Sequence, residues 1–265
     1  MSLVRHRYHP APMAATALSA LALAAAPLVS HAQAQATVKP DDQFRFALGA
    51  GASYASGNTN ASSVNLTGDG VRASSNDKWE FGGKALWGRS EGVTTAESIA
   101  LGTQYDRDLT PQWFGFGKAD YLRDTPANVA SRISTHGGLG YHVFKSETLT
   151  WDVSGGVGYT QDRYVNPADV SGEFRTSYGR AEALLAEESN HKWTPTTSFH
   201  QKLSVYPGLR AGSGYRGVFD SGLSVAMTAT LSLTAGWNYR YNSNPGEGLR
   251  KGDALFVTGI AVKLD

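Results

Sequence analysis

The chain has 265 residues, with 24 Lys and Arg against 23 Asp and Glu, 30 glycines and no cysteine. The lack of cysteine excludes disulfide staples and thiolate metal sites, and the near-neutral balance lacks the basic footprint of a nucleic-acid binder. No stretch after the leader approaches the roughly 18 apolar residues of a spanning helix, so any membrane crossing must be built from strands.

The first residues read as an export signal. Arg5, His6 and Arg7 precede an Ala-rich apolar stretch from Ala14 to Val29, and Ser30-His31-Ala32 and Ala32-Gln33-Ala34 offer small-residue cleavage sites. This pattern predicts a cleaved secretory signal over residues 1–34 and a short periplasmic segment over 35–43. Once Arg5 and Arg7 are removed, basic side chains number one fewer than the acidic ones.

From Phe44 the chain alternates. Phe44, Phe46, Leu48, Ala50, Ala52 and Tyr54 share one face of a first strand, and Arg45, Ala47, Gly49, Gly51 and Ser53 share the other. A period of two over about ten residues suits a strand with lipid on one side and a polar lumen on the other. A second, less regular strand covers Val64 to Ala73. The third carries Trp79, Phe81, Gly83, Ala85 and Trp87 against Glu80 and Lys84, and the fourth carries Ile99, Leu101, Thr103 and Tyr105.

The fifth strand, Trp113 to Leu122, places Phe114 and Phe116 on the same face as Lys118 and Asp120. Two charges in lipid cost more than two rings inside, so that face is predicted to point inward. The sixth carries Ile133, Leu139, Tyr141 and Val143 against Ser134, His136 and His142. The seventh (Leu149, Trp151, Val153, Gly155, Val157, Tyr159) is the cleanest, and Val153 is a candidate mid-bilayer position. The eighth runs from Ser177 to Glu187. Phe199, Leu203 and Val205 mark the ninth, Phe219 to Met227 the tenth, Leu231 to Tyr241 the eleventh and Leu255 to Leu264 the last.

Connections alternate as well. Short turns are predicted at Ser74–Asp77, Leu109–Gln112, Lys145–Glu147, Asn190–Lys192 and Thr228–Thr230. Longer loops are predicted at Arg163–Phe174, Pro207–Gly214 and Asn242–Asp253. Short turns at one end and longer loops at the other require an even strand count. The predicted fold is all-β, a transmembrane antiparallel up-and-down barrel of about twelve strands over residues 44–265. A secreted β-sandwich would also alternate, but its strands usually run about five or six residues and its apolar face needs a core.

Several local strings carry a resemblance. They are Ser56-Gly57-Asn58-Thr59-Asn60, Thr95-Ala96-Glu97, Tyr105-Asp106-Arg107-Asp108-Leu109-Thr110-Pro111, Gly138-Leu139-Gly140-Tyr141, and Tyr239-Arg240-Tyr241-Asn242-Ser243-Asn244-Pro245. In this order and spacing the chain resembles the YdiY-like salt-induced outer-membrane proteins, a domain-of-unknown-function family. The resemblance covers nearly the whole mature chain. It implies a barrel in the outer membrane of a Gram-negative bacterium, with a role in envelope maintenance or stress and no assigned reaction. The expected partners are outer-membrane lipids, lipopolysaccharide and the barrel-insertion machinery.

Inward positions collect charges of both signs: Glu80, Lys84, Lys118, Asp120, Asp152, Arg180, Glu182, Lys202, Arg216, Asp220 and Arg240. In a low-dielectric lumen such groups must pair or stay wet. They predict a salt-bridged filling with at most a narrow polar pore for small solutes, because about eight strands give a filled barrel and about 16–18 an open porin. The alternative from another class is a lipid hydrolase with a Ser/His/acid site at the rim. Its candidates are Ser198 and His200, two apart on one strand, with His136, His142, Asp152 and Glu182. No metal or cofactor is expected. His136 and His142 stand about 20 Å apart along a strand, and the acids read as loop residues, Asp162, Asp169 and Glu173, lack calcium-loop spacing.

Overall fold

A computed structural model describes residues 36, 38–55, 61–170, 172–245 and 250–264. The predicted signal, residues 1–34, lies outside the described residues. Twelve strands follow in order: β1 (Phe44–Ala55), β2 (Ala61–Ala73), β3 (Asp77–Ser90), β4 (Val93–Asp108), β5 (Trp113–Asp124) and β6 (Val129–Lys145), then β7 (Leu149–Val170), β8 (Glu173–Lys192), β9 (Thr197–Pro207), β10 (Tyr215–Ala226), β11 (Leu231–Asn242) and β12 (Gly252–Leu264). Each pairs antiparallel with its sequence neighbours, and β1 pairs with β12 to close the barrel. Closure leaves every strand with two neighbours, which satisfies backbone groups that hydrocarbon could not.

The alternation sorts the two faces. Phe46, Leu48, Leu66, Ile99, Leu101, Leu139, Leu233 and Ile260 are exposed on the outside, whereas Arg45, Ala47, Asn65, Phe114, Phe116 and Thr234 are buried inside. The fifth strand faces as the charge argument requires: Trp113 is outside, and both Phe rings are inside. An outer surface this rich in large apolar side chains is a belt for lipid, since soluble monomers rarely expose large contiguous apolar patches. Aromatic side chains gather near the strand ends. Trp113 meets Tyr141 edge-on at 5.1 Å, Phe144 stacks on Trp151 at 5.9 Å, and Tyr215 stacks on Tyr241 at the other end at 5.3 Å.

Three expectations need correction. Arg163–Phe174 is not a loop: β7 and β8 run on to Val170 and Glu173, paired Ala168↔Arg175, Asp169↔Phe174 and Val170↔Glu173 beyond a bulge. The hairpin closes at Gly172, whose φ of 85° suits glycine and whose N–H donates to the Asp169 carboxylate at 2.7 Å. Asn166, Pro167 and Gly172 mimic a loop in sequence because the bulge absorbs the first two and the turn uses the third. Asn190–Lys192 is not a turn either; it pairs with Ser198–His200, and the turn moves to residues 193–196. Val153 lies directly across from Glu187, whose carboxylate accepts a hydrogen bond from Trp151 Nε1 at 3.2 Å. A carboxylate and an indole N–H mark an interface, so Val153 sits near the edge of the apolar belt rather than at its middle.

The segment before β1 is tied to the short-turn end. Pro40 bridges Ala73, Asp41 grips Arg45 through both carboxylate oxygens at 2.7 and 2.6 Å, and Asp42 pairs with Arg72 at 2.8 Å. Ala36 packs against Ala47 and Ala261, both buried on the lumen side.

Candidate functional site: the lumen

All eleven charged residues singled out from the sequence face the interior, and each has an ionic partner. Toward the short-turn end, Lys78 pairs with Glu80 at 3.2 Å and with Asp106 at 3.4 Å, Lys202 with Glu188 at 2.5 Å, and Asp152 with His142 at 2.6 Å. Lys84 reaches Asp220 at 2.9 Å, and Asn238 donates to the same carboxylate at 2.6 Å. Lys118 pairs with Asp120 at 3.3 Å and donates to the Tyr206 hydroxyl at 3.2 Å.

Several of these contacts cross the barrel. Lys84 is on β3 and Asp220 on β10; Arg240 on β11 meets Asp124 on β5 at 3.4 Å. Strands β5 and β11 stand six apart in a ring of twelve, so this pair bridges opposite walls. Opposite charges that touch across the lumen leave no wide aqueous bore there.

One side of the lumen carries an apolar cluster beside these charges. Phe114, Phe116, Leu184 and Tyr206 form a buried cluster with Ala186 and Val218 against it. The facing wall is glycine. A Cβ on Gly140 would lie 2.1 Å from Phe114 Cζ, one on Gly158 2.3 Å from His136 Cδ2, and one on Gly156 3.0 Å from Phe116 Cζ. The rings therefore lie flat against β6 and β7 in space that no side chain could share. Gly138 and Gly140 of the Gly-Leu-Gly-Tyr string point in, while Leu139 and Tyr141 are exposed outside.

Above this cluster sits a network of five ionic groups. Asp162, 1% exposed, accepts from Arg132 Nε and Nη2 at 2.5 and 3.0 Å and from Arg180 Nη1 at 2.8 Å. Glu182 is fully buried. It accepts from Arg180 Nε at 3.2 Å, Arg216 Nη2 at 2.5 Å and the Thr160 hydroxyl at 2.5 Å, and His136 Nε2 stands 3.2 Å away. Isolated, either carboxylate would cost several kcal/mol to bury; shared between guanidinium groups, the charges compensate one another. Arg216 also lies over the Tyr206 ring at 4.9 Å, joining the network to the apolar cluster.

Residues 48–264 match a family model described as a protein of unknown function, DUF481. The chain belongs to the DUF481 family. Membership agrees with the resemblance carried by its turn strings, one of which is now explained by the glycine wall. No curated protein matches the sequence. Among solved structures, this DUF481 chain is similar to the translocator domain of the autotransporter NalP from Neisseria meningitidis, with 12% identity, 84% of this chain and 87% of that one covered, and a TM-score of 0.43. It is also similar to the Pseudomonas putida toluene transporter TodX, with 11% identity, 85% and 89% covered, and a TM-score of 0.37.

Members of the ionic network that sequence reasoning missed lie toward strand ends. Lys78, Asp106, Arg132 and Glu188 keep the inward parity of their strands but stand outside the stretches that apolar alternation delimits. Asp162, read as a loop acid, is a buried residue of β7. Asp169 and Glu173 do belong to the outer hairpin; Glu173 is paired with Arg175. Extending each strand's parity by two to four residues would have found the network. The hydrolase candidates do not assemble. His136 engages Glu182, His142 engages Asp108 and Asp152, and His200 Nδ1 meets Asn190 Oδ1 at 2.9 Å; no serine hydroxyl is among these partners.

Proposed function

We propose that this protein is an outer-membrane barrel serving envelope integrity, with a lumen filled by ion pairs and packed rings that leaves at most a narrow polar path for small solutes. The observation that carries this reading is the cross-lumen contact set: Arg240–Asp124 and Lys84–Asp220 bridge distant strands, and Phe114, Phe116, Leu184 and Tyr206 pack as a buried cluster inside the barrel. A filled barrel of this kind is a rigid insert in the bilayer rather than a sieve. Its short turns face the periplasm and its longer connections the outside, following the sidedness of outer-membrane barrels. Ions of both signs line the path, so any residual passage is weakly selective.

Planar-bilayer recording of the refolded protein tests the reading. Absent or small conductance steps are expected. Large, long-lived steps of the porin kind would overturn it.

A further inference from the structure

The guanidinium network forms the floor of a vestibule at the long-loop end. The cavity is open to solvent, and Tyr164, Tyr178 and Tyr206 contribute to its walls. Hydrogen bonds join described residues of its rim. Asn244 Nδ2 donates to Gly212 O at 3.2 Å, and Tyr215 N–H donates to Ser243 Oγ at 2.9 Å, tying the β9–β10 and β11–β12 connections together. Gly214, at φ 67°, permits this approach, since a Cβ there would lie 2.2 Å from Ser243 Oγ.

The floor carries more positive charge than its carboxylates neutralise. Three arginines, always protonated, share Asp162 and Glu182. Beside this floor Lys118 pairs with Asp120 and Arg240 with Asp124, and Asp253 adds a further carboxylate near Asp124. Asp169, the remaining carboxylate of the lining, is exposed at the rim and committed to Gly172 N–H. Donors are also in surplus. Each guanidinium has five N–H groups, yet Arg132 and Arg180 spend two nitrogens each on carboxylates and Arg216 one. Arg216 Nε is buried with no hydrogen-bond partner among the described residues. Three guanidinium groups on two carboxylates leave N–H donors in a buried network that an anion can take.

We propose that the vestibule is a binding site for a small oxyanion, a phosphate group, taken from the outer side and held by Arg132, Arg180 and Arg216. Guanidinium groups match phosphate by forked, charge-assisted hydrogen bonds, and tyrosine hydroxyls at the wall add neutral donors. The phosphate can be a free ion or the phosphorylated sugar of a surface glycolipid, and both present the same group to the floor.

The test is calorimetric titration of the refolded full-length protein in detergent with inorganic phosphate and, separately, glucosamine 1-phosphate, at constant ionic strength set with sodium chloride. Saturable binding of at least one probe is expected. Tighter binding of the phosphosugar assigns the site to a glycolipid headgroup, and equal or tighter binding of inorganic phosphate assigns it to the free ion. Arg132→Gln and Arg216→Gln should each weaken binding at least tenfold, while Lys84→Gln, which pairs with Asp220 and does not line the vestibule, should bind as the parent does. If an arginine variant does not refold, Ala127→Trp, which fills the mouth from the β5–β6 turn, must abolish binding. No saturable binding of either probe to the folded parent, or equal loss in Lys84→Gln, overturns the proposal.

Discussion

The height of a side chain in the bilayer can be read along β7 and tested with two arginines. Trp151 marks the lower interface through its bond to Glu187. Val157 lies six residues further, about 20 Å along the strand and so about 15 Å up at a tilt near 40°. In an apolar band about 25 Å tall, that is close to the midplane, whereas Val153 rises only about 5 Å above Trp151. The surroundings agree. Val157 is 62% exposed and flanked by Gly137 and Ala183, with no partner for a charge; Val153 is flanked by Tyr141 and Glu187. Val157→Arg should therefore cost about 2–4 kcal/mol and Val153→Arg about 0–1 kcal/mol. Reversible urea unfolding in phospholipid vesicles, followed by tryptophan emission, measures both. Equal costs, or a larger cost at Val153, would refute the depth assignment and with it the outward face of β7.

Three further outcomes follow from the lumen. Phe114→Ala with Phe116→Ala removes the two rings of the apolar cluster; each large-to-small change costs about 3–5 kcal/mol in a packed site, and conductance steps in planar bilayers should grow. Asp162→Ala leaves Arg132 and Arg180 without their shared partner and should destabilise by about 3–5 kcal/mol, seen as a lower temperature for the heat-induced gel-migration shift. At the other end, hydrogen bonding to Arg45 holds the Asp41 carboxyl at about 2, below its ordinary 3.8. The sign is that of a depressed acid: the Asp41–Arg45 anchor is fully present above about pH 4 and lost as pH falls through about 2. The protection of the Gln43 amide, which donates to Asp41, relative to its intrinsic exchange rate should fall in that window for the parent. In Asp41→Asn that amide should already exchange faster at neutral pH.

Strand count, closure and facing were legible because a lipid-exposed strand writes its apolar face into every second residue. The Phe114/Lys118 face was decided by weighing two rings against two charges, which needs no coordinates. Strand ends were not legible in the same way. Apolar alternation records the part of a strand that touches hydrocarbon, while the hydrogen-bond ladder of β7 and β8 continues into water as far as Val170 and Glu173. For that reason Asp162 looked like a loop acid and Arg132 was not singled out, although both lie at the centre of the buried network. Which charges pair across the lumen was also invisible, because Arg240 and Asp124 are brought together by the closure and shear of the whole barrel rather than by local spacing.

The glycine wall makes a sharper claim about the interior than the charges do, since steric exclusion has one direction. Gly140 and Phe114 compete for the same volume: a Cβ at 140 would stand 2.1 Å from Phe114 Cζ, and the ring is also held by stacking on His142 at 4.8 Å. Gly140→Leu alone must drive the ring off its wall, an overpacking change that costs about 1–3 kcal/mol. In the Phe114→Ala background the same leucine enters vacated space and refills part of the cavity, so the double variant should be more stable than the sum of the two single losses predicts. A coupling of about 0.5–3 kcal/mol in a double-mutant cycle is the expected scale for residues in contact. Additive losses would mean that the ring does not rest on Gly140, and the packing of the Phe114 cluster against the glycine wall would then have to be given up.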